Sequence, residues 1–128
     1  MRILVAEDNL ENQAIIRRRL ERAGHTVTIV SNGLEAVECA RIENPDLILM
    51  DISMPIMSGI VATQEIRKVP ALVETPIIAV TAHAMEGDEL RCIAAGCDAF
   101  ATKPIQFKVL LGLIDKMTAG RREIAKPA

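Results

Sequence analysis

The chain has 128 residues, of which 50% are hydrophobic, with 15 basic and 17 acidic side chains and a formal net charge of -2. This length suits one domain with a single core, and the hydrophobic content excludes a disordered segment. The nearly even charge gives no electrostatic basis for binding nucleic acid or an anionic membrane.

No apolar run approaches the roughly 18 residues that a membrane-spanning helix needs, and Met1 leads directly into a strand-like run. We therefore predict no secretory signal and a cytoplasmic protein. Cys39, Cys92 and Cys97 are odd in number and lack the spacing of a zinc site. They are predicted to be packing residues in a reducing compartment.

Short apolar runs typical of strands occur five times along the chain. Most lack alternating polar residues, which indicates strands buried on both faces, as in a parallel sheet. The predicted strands cover residues 3–6, 26–30, 47–50, 77–80 and, more weakly, 99–102.

Segments with helical periodicity lie between and after these runs. Asn9 is a candidate cap for the first helix, which is expected to end near Gly24. The next three are predicted over residues 33–43, 60–68 and 86–95. A fifth is predicted from about Gln106, with a buried face of Val109, Leu110, Leu113, Ile114 and Met117.

The alternation of strands and helices predicts an α/β fold, a doubly wound parallel sheet with right-handed crossovers and helices on both faces. We assign residues 1–120 to one domain and residues 121–128 to a short, frayed C-terminal tail.

Polar side chains follow four of the five predicted strands. Glu7 and Asp8 follow the first strand and Asp51 follows the third, whereas Thr81 ends the fourth and Lys103 follows the fifth. Ligands of open parallel sheets bind beyond the carboxyl ends of the strands. These side chains are therefore expected to gather at one edge of the sheet.

Three carboxylates in one crevice repel one another unless a cation is present. Mg²⁺ suits such a site because it accepts one or two carboxylates and engages phosphate oxygens. Lys103 and the Thr81 hydroxyl can each bind a phosphoryl oxygen. These groups favour phosphoryl transfer, with Asp51 as the nucleophile that forms an aspartyl phosphate.

The same residues resemble the receiver domain of two-component response regulators. The resemblance covers about residues 2–118 and extends to single-domain regulators of the chemotaxis type and to receivers of hybrid histidine kinases. It implies a flavodoxin-like five-stranded sheet in the order 2-1-3-4-5. The matching motifs are Glu7-Asp8-Asn9, Asp51 in "LMDISMP", Gly59, Thr81-Ala82 and Lys103-Pro104.

The resemblance implies a phosphoacceptor role for Asp51, with the phosphoryl group coming from a phosphohistidine on a sensor kinase or histidine phosphotransfer protein. Asp8 would bind Mg²⁺ directly and Glu7 through water, joined by Asp51 and the backbone carbonyl of Ser53. Mn²⁺ is expected to substitute. Lys103 would bind the phosphoryl group.

Thr81 and Phe100 occupy the positions of the family's conformational switch. Their movement would remodel the face made by the fourth helix, fifth strand and fifth helix, where an unknown downstream protein binds. Ser53 and His83 would tune the lifetime of the phosphate, and the Lys103-Pro104 bond is expected to be cis. A monomer or a weak homodimer is expected.

Two surface features have more than one interpretation. The basic cluster of Arg17, Arg18, Arg19 and Arg22 is either a solvated helix face or a docking surface for the phosphodonor protein. Phe107 and Leu111 lie one turn apart, either in the core or on an output or dimer surface.

Other classes of protein fit less well. Two phenylalanines and no Trp or Tyr argue against a flavodoxin, and the chain lacks the G-x-x-x-x-G-K-[ST] motif of P-loop NTPases after its first strand. A phosphatase of the haloacid-dehalogenase type would carry an acid where Ser53 stands.

We therefore predict a signalling domain, not a turnover enzyme, with only self-directed phosphoryl transfer and autodephosphorylation. A receiver fold that acts by partner contact without phosphorylation is the alternative. The residues after about 118 are too few for an effector domain. The chain is thus expected to be either a stand-alone regulator or a receiver from a hybrid kinase.

Overall fold

Five parallel strands alternate with five helices in a computed structural model that describes residues 1–82 and 87–125, with side chains through residue 119. A 3-10 turn, Pro70–Leu72, precedes the fourth strand. The strands are β1 Arg2–Ala6, β2 Thr26–Val30, β3 Leu47–Asp51, β4 Ile77–Thr81 and β5 Ala99–Thr102. The helices are α1 Leu10–Arg22, α2 Gly33–Glu43, α3 Gly59–Arg67, α4 Asp88–Ala95 and α5 Phe107–Ala125.

The strands form one sheet in the order β2-β1-β3-β4-β5, and every pairing is parallel. This order confirms the doubly wound fold expected from the sequence. The order reverses between β1 and β3, so that these neighbouring strands lead into helices on opposite faces. The crevice at their carboxyl ends is where a site is expected.

Two hydrophobic clusters cover the two faces of the sheet. Ile48 and Met50 of β3 pack into the cluster that contains the buried residues of α2, α3 and α4. Leu47 and Leu49 pack into the cluster that contains Ile16 of α1 together with buried residues of α5. Side chains of a strand alternate between faces, so a residue's position along its strand decides which helices it meets.

The helix boundaries follow local chemistry. The side chains of Asn9, Asn32 and Ser58 accept hydrogen bonds from the first turns of α1, α2 and α3. α2 ends at Asn44, which adopts a left-handed conformation, and α4 ends at Gly96, which does the same. The predicted bounds of α2 are confirmed.

The last helix differs from its predicted form at one position of its buried face. Val109 is 64% exposed, so its assignment to the buried face is wrong, whereas Leu110 and Ile114 are buried. The helix extends to Ala125. Residues 126–128, like residue 86 at the predicted start of the fourth helix, lie outside the described residues.

The cysteines are free, with Cys92 and Cys97 buried and Cys39 half-buried, in agreement with a packing role. No helix among the described residues is both long and apolar enough to cross a membrane.

The loop between β3 and α3 is tightly confined. A Cβ on Gly59 would lie 2.2 Å from the Asp51 carbonyl oxygen, and one on Gly33 would lie 2.1 Å from the Met57 oxygen. Between these contacts, the Met57 N–H donates to Pro55 O, closing a γ-turn whose central residue, Ile56, has φ +68°. The loop that follows Asp51 is therefore held at both ends.

We expect Gly59→Ala to lower the free energy of unfolding by about 2–3 kcal/mol, because the new methyl group overlaps backbone atoms that cannot move independently. Gly112→Ala is the matched control, since a Cβ there meets nothing within 4 Å. That change should raise helix stability by about 0.5–1 kcal/mol. Urea unfolding followed by circular dichroism measures both, and equal effects would contradict the close approach at Gly59.

Candidate phosphoacceptor site

The register of the sheet brings the first two acidic residues together. Ala6 of β1 lies opposite Met50 of β3, so Glu7 and Asp51 follow at the same level on neighbouring strands. Both continue the alternation that places Val5 and Leu49 on the face covered by α1 and α5. Glu7 is 2% exposed and Asp51 is 4% exposed. Two carboxylates are thus buried side by side.

Lys103 contacts both of these carboxylates. Its Nζ lies 2.7 Å from Glu7 Oε1 and 2.9 Å from Asp51 Oδ2. Its backbone N–H donates to Thr81 O over 2.8 Å, which extends the pairing of β4 and β5 by one residue. The Lys103-Pro104 peptide bond is cis, as predicted. From β5, the side chain reaches over β4 to the acids on β1 and β3.

Burial and hydrogen bonding between the oppositely charged groups shift the pKa values of these side chains in opposite directions. For Asp51, burial prevails and raises the pKa from 3.8 to about 6, although Lys103 and the Ser53 N–H favour the ionised form. For Glu7, burial also raises the pKa, but hydrogen bonds from Lys103 and the Asn9 N–H outweigh it, and the net shift is downward. Burial lowers the pKa of Lys103, but its bonds to the two carboxylates raise it overall.

Asp8 adds a third carboxylate at the mouth of the crevice. One ligand oxygen each from Glu7, Asp8 and Asp51 lies within 4.8 Å of the other two, and Asp8 is exposed. Ligands on opposite sides of one Mg²⁺ ion lie roughly 4.2 Å apart, so the upper limit on these distances is close to what one ion requires. With Lys103, the four ionised groups carry a net charge of -2. The donor set therefore fits a hard divalent cation.

Ser53 lies beside the acidic residues because of a local turn. Its backbone N–H donates to Asp51 Oδ1 over 3.0 Å, while its side chain is exposed. The backbone at Ser53 is therefore held against the carboxylate that precedes it by two residues.

Thr81 reaches the same edge of the sheet, but it faces the opposite side together with Phe100 of β5. Both follow the alternation of Ala79, which packs with α2, α3 and α4. Thr81 is buried and Phe100 is half-buried. Together with residues of α4 they line a cavity of about 90 Å³. The predicted switch pair thus shares a space next to the site, whereas predicted site residue His83 lies outside the described residues.

An apolar groove of about 410 Å³ lies next to Lys103, between α1 and the loop that leads into α5. Ile15, Ile105 and Phe107 contribute to its lining, and Ile15 is 49% exposed. Phe107 and Leu111 are both partly buried against the core.

The basic cluster of α1 has two structural contacts. The Arg19 guanidinium lies 4.8 Å from the centre of the Phe107 ring. Arg17 donates to the Val27 carbonyl oxygen over 3.3 Å. Part of the basic cluster therefore has a packing role.

Gln13 is a site neighbour that the sequence analysis did not identify. Its side-chain amide donates to the Glu7 carbonyl oxygen over 2.6 Å. The available signal was its position four residues after the capping Asn9, from which a side chain points back toward the preceding turn.

Comparison with known proteins agrees with this geometry. Residues 3–115 match the family model of the response regulator receiver domain. The chain is 44% identical over 103 residues to the polar-differentiation response regulator DivK of Brucella anthropi, covering 80% of this chain and 84% of that protein. It is 43% identical over 119 residues, or 91% of this chain, to hybrid signal transduction histidine kinase G of Dictyostelium discoideum, of which the match spans only 4%.

Among solved structures, the receiver domain of sensor histidine kinase PA1611 from Pseudomonas aeruginosa PAO1 is similar, with a TM-score of 0.87 and 37% identity. The match covers 92% of this chain and 97% of that one, whose structure holds a magnesium ion coordinated in the active-site cleft. The chain therefore belongs to the response regulator receiver domain family. It is a signalling domain of two-component systems with a flavodoxin-like fold.

The raised pKa of Asp51 has a consequence for stability. The folded protein retains this proton to a higher pH than the unfolded chain does, so ionisation of Asp51 lowers the free energy of unfolding between about pH 4 and pH 6. Without divalent cations, Asp51→Asn should stabilise the protein by up to about 3 kcal/mol above this range and have little effect below it.

Urea unfolding in the presence of EDTA, repeated across this pH range, measures the effect. Glu38→Gln, which removes an exposed carboxylate from α2, is the control. Destabilisation by Asp51→Asn near neutral pH would show that the bond to Lys103 outweighs burial.

Proposed function

We propose that Asp51 accepts a phosphoryl group from a phosphohistidine on a sensor kinase or histidine phosphotransfer protein, and that the charge change is read by a downstream protein. The observation that carries this proposal is the contact of Lys103 with both Glu7 and Asp51, beside Asp8. This arrangement combines a buried carboxylate nucleophile with a positive charge for the incoming phosphoryl group.

In the proposed reaction, a carboxylate oxygen of Asp51 attacks phosphorus as the bond from phosphorus to the donor's imidazole nitrogen breaks. The electron pair of that bond stays with the imidazole. Lys103 exchanges its contact with the Asp51 carboxylate for a phosphoryl oxygen, and the Thr81 hydroxyl binds another. The lysine ammonium group would therefore contact a negatively charged oxygen at Asp51 both before and after the transfer.

Mg²⁺ is the proposed cofactor, with Mn²⁺ as a substitute. Asp8 and Asp51 would hold it directly, Glu7 through water, and the Ser53 carbonyl would complete the protein ligands. When bound, the ion would neutralise charge on the carboxylates and phosphoryl oxygens. Support comes from the clustering of the three carboxylates and from the magnesium ion in the related PA1611 receiver.

The output is proposed to arise from Thr81 and Phe100. Movement of Thr81 toward the phosphoryl group would free volume in the cavity of about 90 Å³ that it shares with Phe100, α4 and the loop after β3. Arg67 holds the C-terminal end of α4 through Gly96 O and Asp98 Oδ2, over 2.9 Å each. The N-terminal end begins at Gly87 without a side-chain cap. The face formed by α4, β5 and α5 can thus shift at one end.

Several finer expectations remain part of the proposal. Ser53 and His83 would set the rate of autodephosphorylation, and the protein would act as a monomer or a weak homodimer. The boundary of the domain at residue 120 also stays a prediction. A receiver that signals by contact alone is the competing function, and the intact set of Asp51, Thr81 and Lys103 favours phosphorylation over it.

Incubation with acetyl phosphate and Mg²⁺ should add the mass of one phosphoryl group, about 80 Da, to the intact protein. Asp51→Asn should abolish this gain because it removes the nucleophile, whereas Glu38→Gln should retain it. Intact-mass spectrometry with and without EDTA gives the result. An unmodified wild-type protein, or equal labelling of Asp51→Asn, would favour the contact-only receiver.

The phosphodonor is proposed to dock on the groove between α1 and the loop before α5, because this groove adjoins Lys103 and presents apolar surface. Ile15→Asn should slow phosphotransfer from the cognate kinase about tenfold or more. Acetyl phosphate has no protein surface that could pack on Ile15, so labelling by this donor should be unaffected.

The cognate kinase is identified first, as the fastest donor among purified kinases of the same genome. Ile42→Asn is the matched control, because Ile42 is 82% exposed and lies near the C-terminal end of α2, away from the groove. Equal phosphotransfer to wild type and Ile15→Asn would place the docking surface elsewhere.

A further inference from the structure

The Gln13 side chain joins three elements next to the acidic residues. Gln13 lies in the first turn of α1, and its own N–H donates to Asn9 O over 2.9 Å. Its side-chain Nε2 turns back to the Glu7 carbonyl oxygen at 2.6 Å and approaches Ser31 Oγ at 3.3 Å. The side chain is half-buried. One amide group thus connects the start of α1 with the ends of β1 and β2.

The Glu7 carbonyl belongs to the peptide plane between Glu7 and Asp8. A peptide unit is rigid and planar, so holding its oxygen fixes the orientation from which the backbone of Asp8 continues. The Glu7 N–H is separately held by Val30 O over 3.0 Å. The contact from Gln13 therefore secures the carbonyl side of Glu7, which follows β1 and still bonds to β2 through its N–H.

The three acidic residues differ in how their side chains are held. Lys103 fixes both Glu7 and Asp51, and the Asn9 N–H adds a 3.2 Å bond to Glu7 Oε2. By contrast, among residues 1–82 and 87–119, whose side chains the structure describes, no hydrogen bond or ion pair is found at the exposed carboxylate of Asp8. Its direction toward Asp51 is therefore set by its backbone, and the peptide that precedes Asp8 accepts the hydrogen bond from Gln13.

We propose that Gln13 is a positioning residue for the divalent cation: by fixing the peptide between Glu7 and Asp8, it aims the Asp8 carboxylate at the cation that Asp51 shares. This inference rests on the proposed function, because it assumes that these carboxylates bind Mg²⁺. It assigns Gln13 no contact with the cation. Partners that orient metal ligands in this way commonly change metal affinity by about tenfold or more when they are removed.

Gln13→Met tests the inference, because methionine keeps the length and helix propensity of glutamine but cannot donate. Isothermal titration calorimetry with MgCl₂ measures the affinity without an optical probe, which suits a chain without Trp or Tyr. We expect Kd for Mg²⁺ to rise about tenfold. Acetyl phosphate labelling should need correspondingly more Mg²⁺ but reach the wild-type rate at saturation.

Two further variants separate positioning from general stability. Gln64→Met makes the same change at an exposed position of α3 and should leave Kd unchanged. Ser31→Ala removes the contact of Gln13 with the end of β2 but leaves its contact with Glu7, so it should also bind Mg²⁺ like the wild type. Circular dichroism at the temperature of the titration confirms that each variant is folded.

The outcomes are distinct. A Kd for Gln13→Met within about twofold of wild type overturns the inference and leaves the proposed metal site intact. Loss of affinity in Ser31→Ala equal to that in Gln13→Met also overturns it, because the contact with β2 would then be responsible. If the wild-type protein does not bind Mg²⁺, both this inference and the proposed metal site fail.

Discussion

The contact of one lysine with two buried carboxylates is the constraint on which this site depends. Glu7 and Asp51 leave neighbouring strands at the same level, and without Lys103 their repulsion in a buried crevice would be severe. One positive charge cannot balance both acids and Asp8 as well. The three carboxylates could therefore hold a divalent cation. In the proposed function, the lysine already placed at Asp51 would turn to a phosphoryl oxygen.

The alternation of side chains along parallel strands places the proposed phosphoacceptor residues and the proposed switch residues on opposite faces of the sheet. Glu7, Asp51 and Lys103 face the side covered by α1 and α5, whereas Thr81 and Phe100 face the side covered by α3 and α4. Glu7, Asp51, Thr81 and Lys103 lie at the carboxyl ends of their strands, and Phe100 lies within β5 opposite Ala79. A change of charge at Asp51 would therefore occur close to the cavity that Thr81 and Phe100 line on the other face of the sheet.

Local patterns predicted most of the fold because caps and strand runs act over a few residues. Asn32 and Asn44 define α2 at the predicted bounds. The pattern was wrong for Val109, which is 64% exposed, because the first two turns of α5 have apolar residues on more than one side. Periodicity alone then cannot choose the buried face, and the packing of α5 against β5 and α1 decides it.

The sequence by itself determined which chemical groups stand at the strand ends, because strand length and the following turn are local properties. It thereby predicted the meeting of Asp8, Asp51 and Lys103 at one edge. Only the tertiary structure decided that Lys103 touches both Glu7 and Asp51, and that Gln13 holds the Glu7 carbonyl oxygen. Those contacts join residues on different elements, and their distances depend on strand order and helix packing, which no single segment encodes.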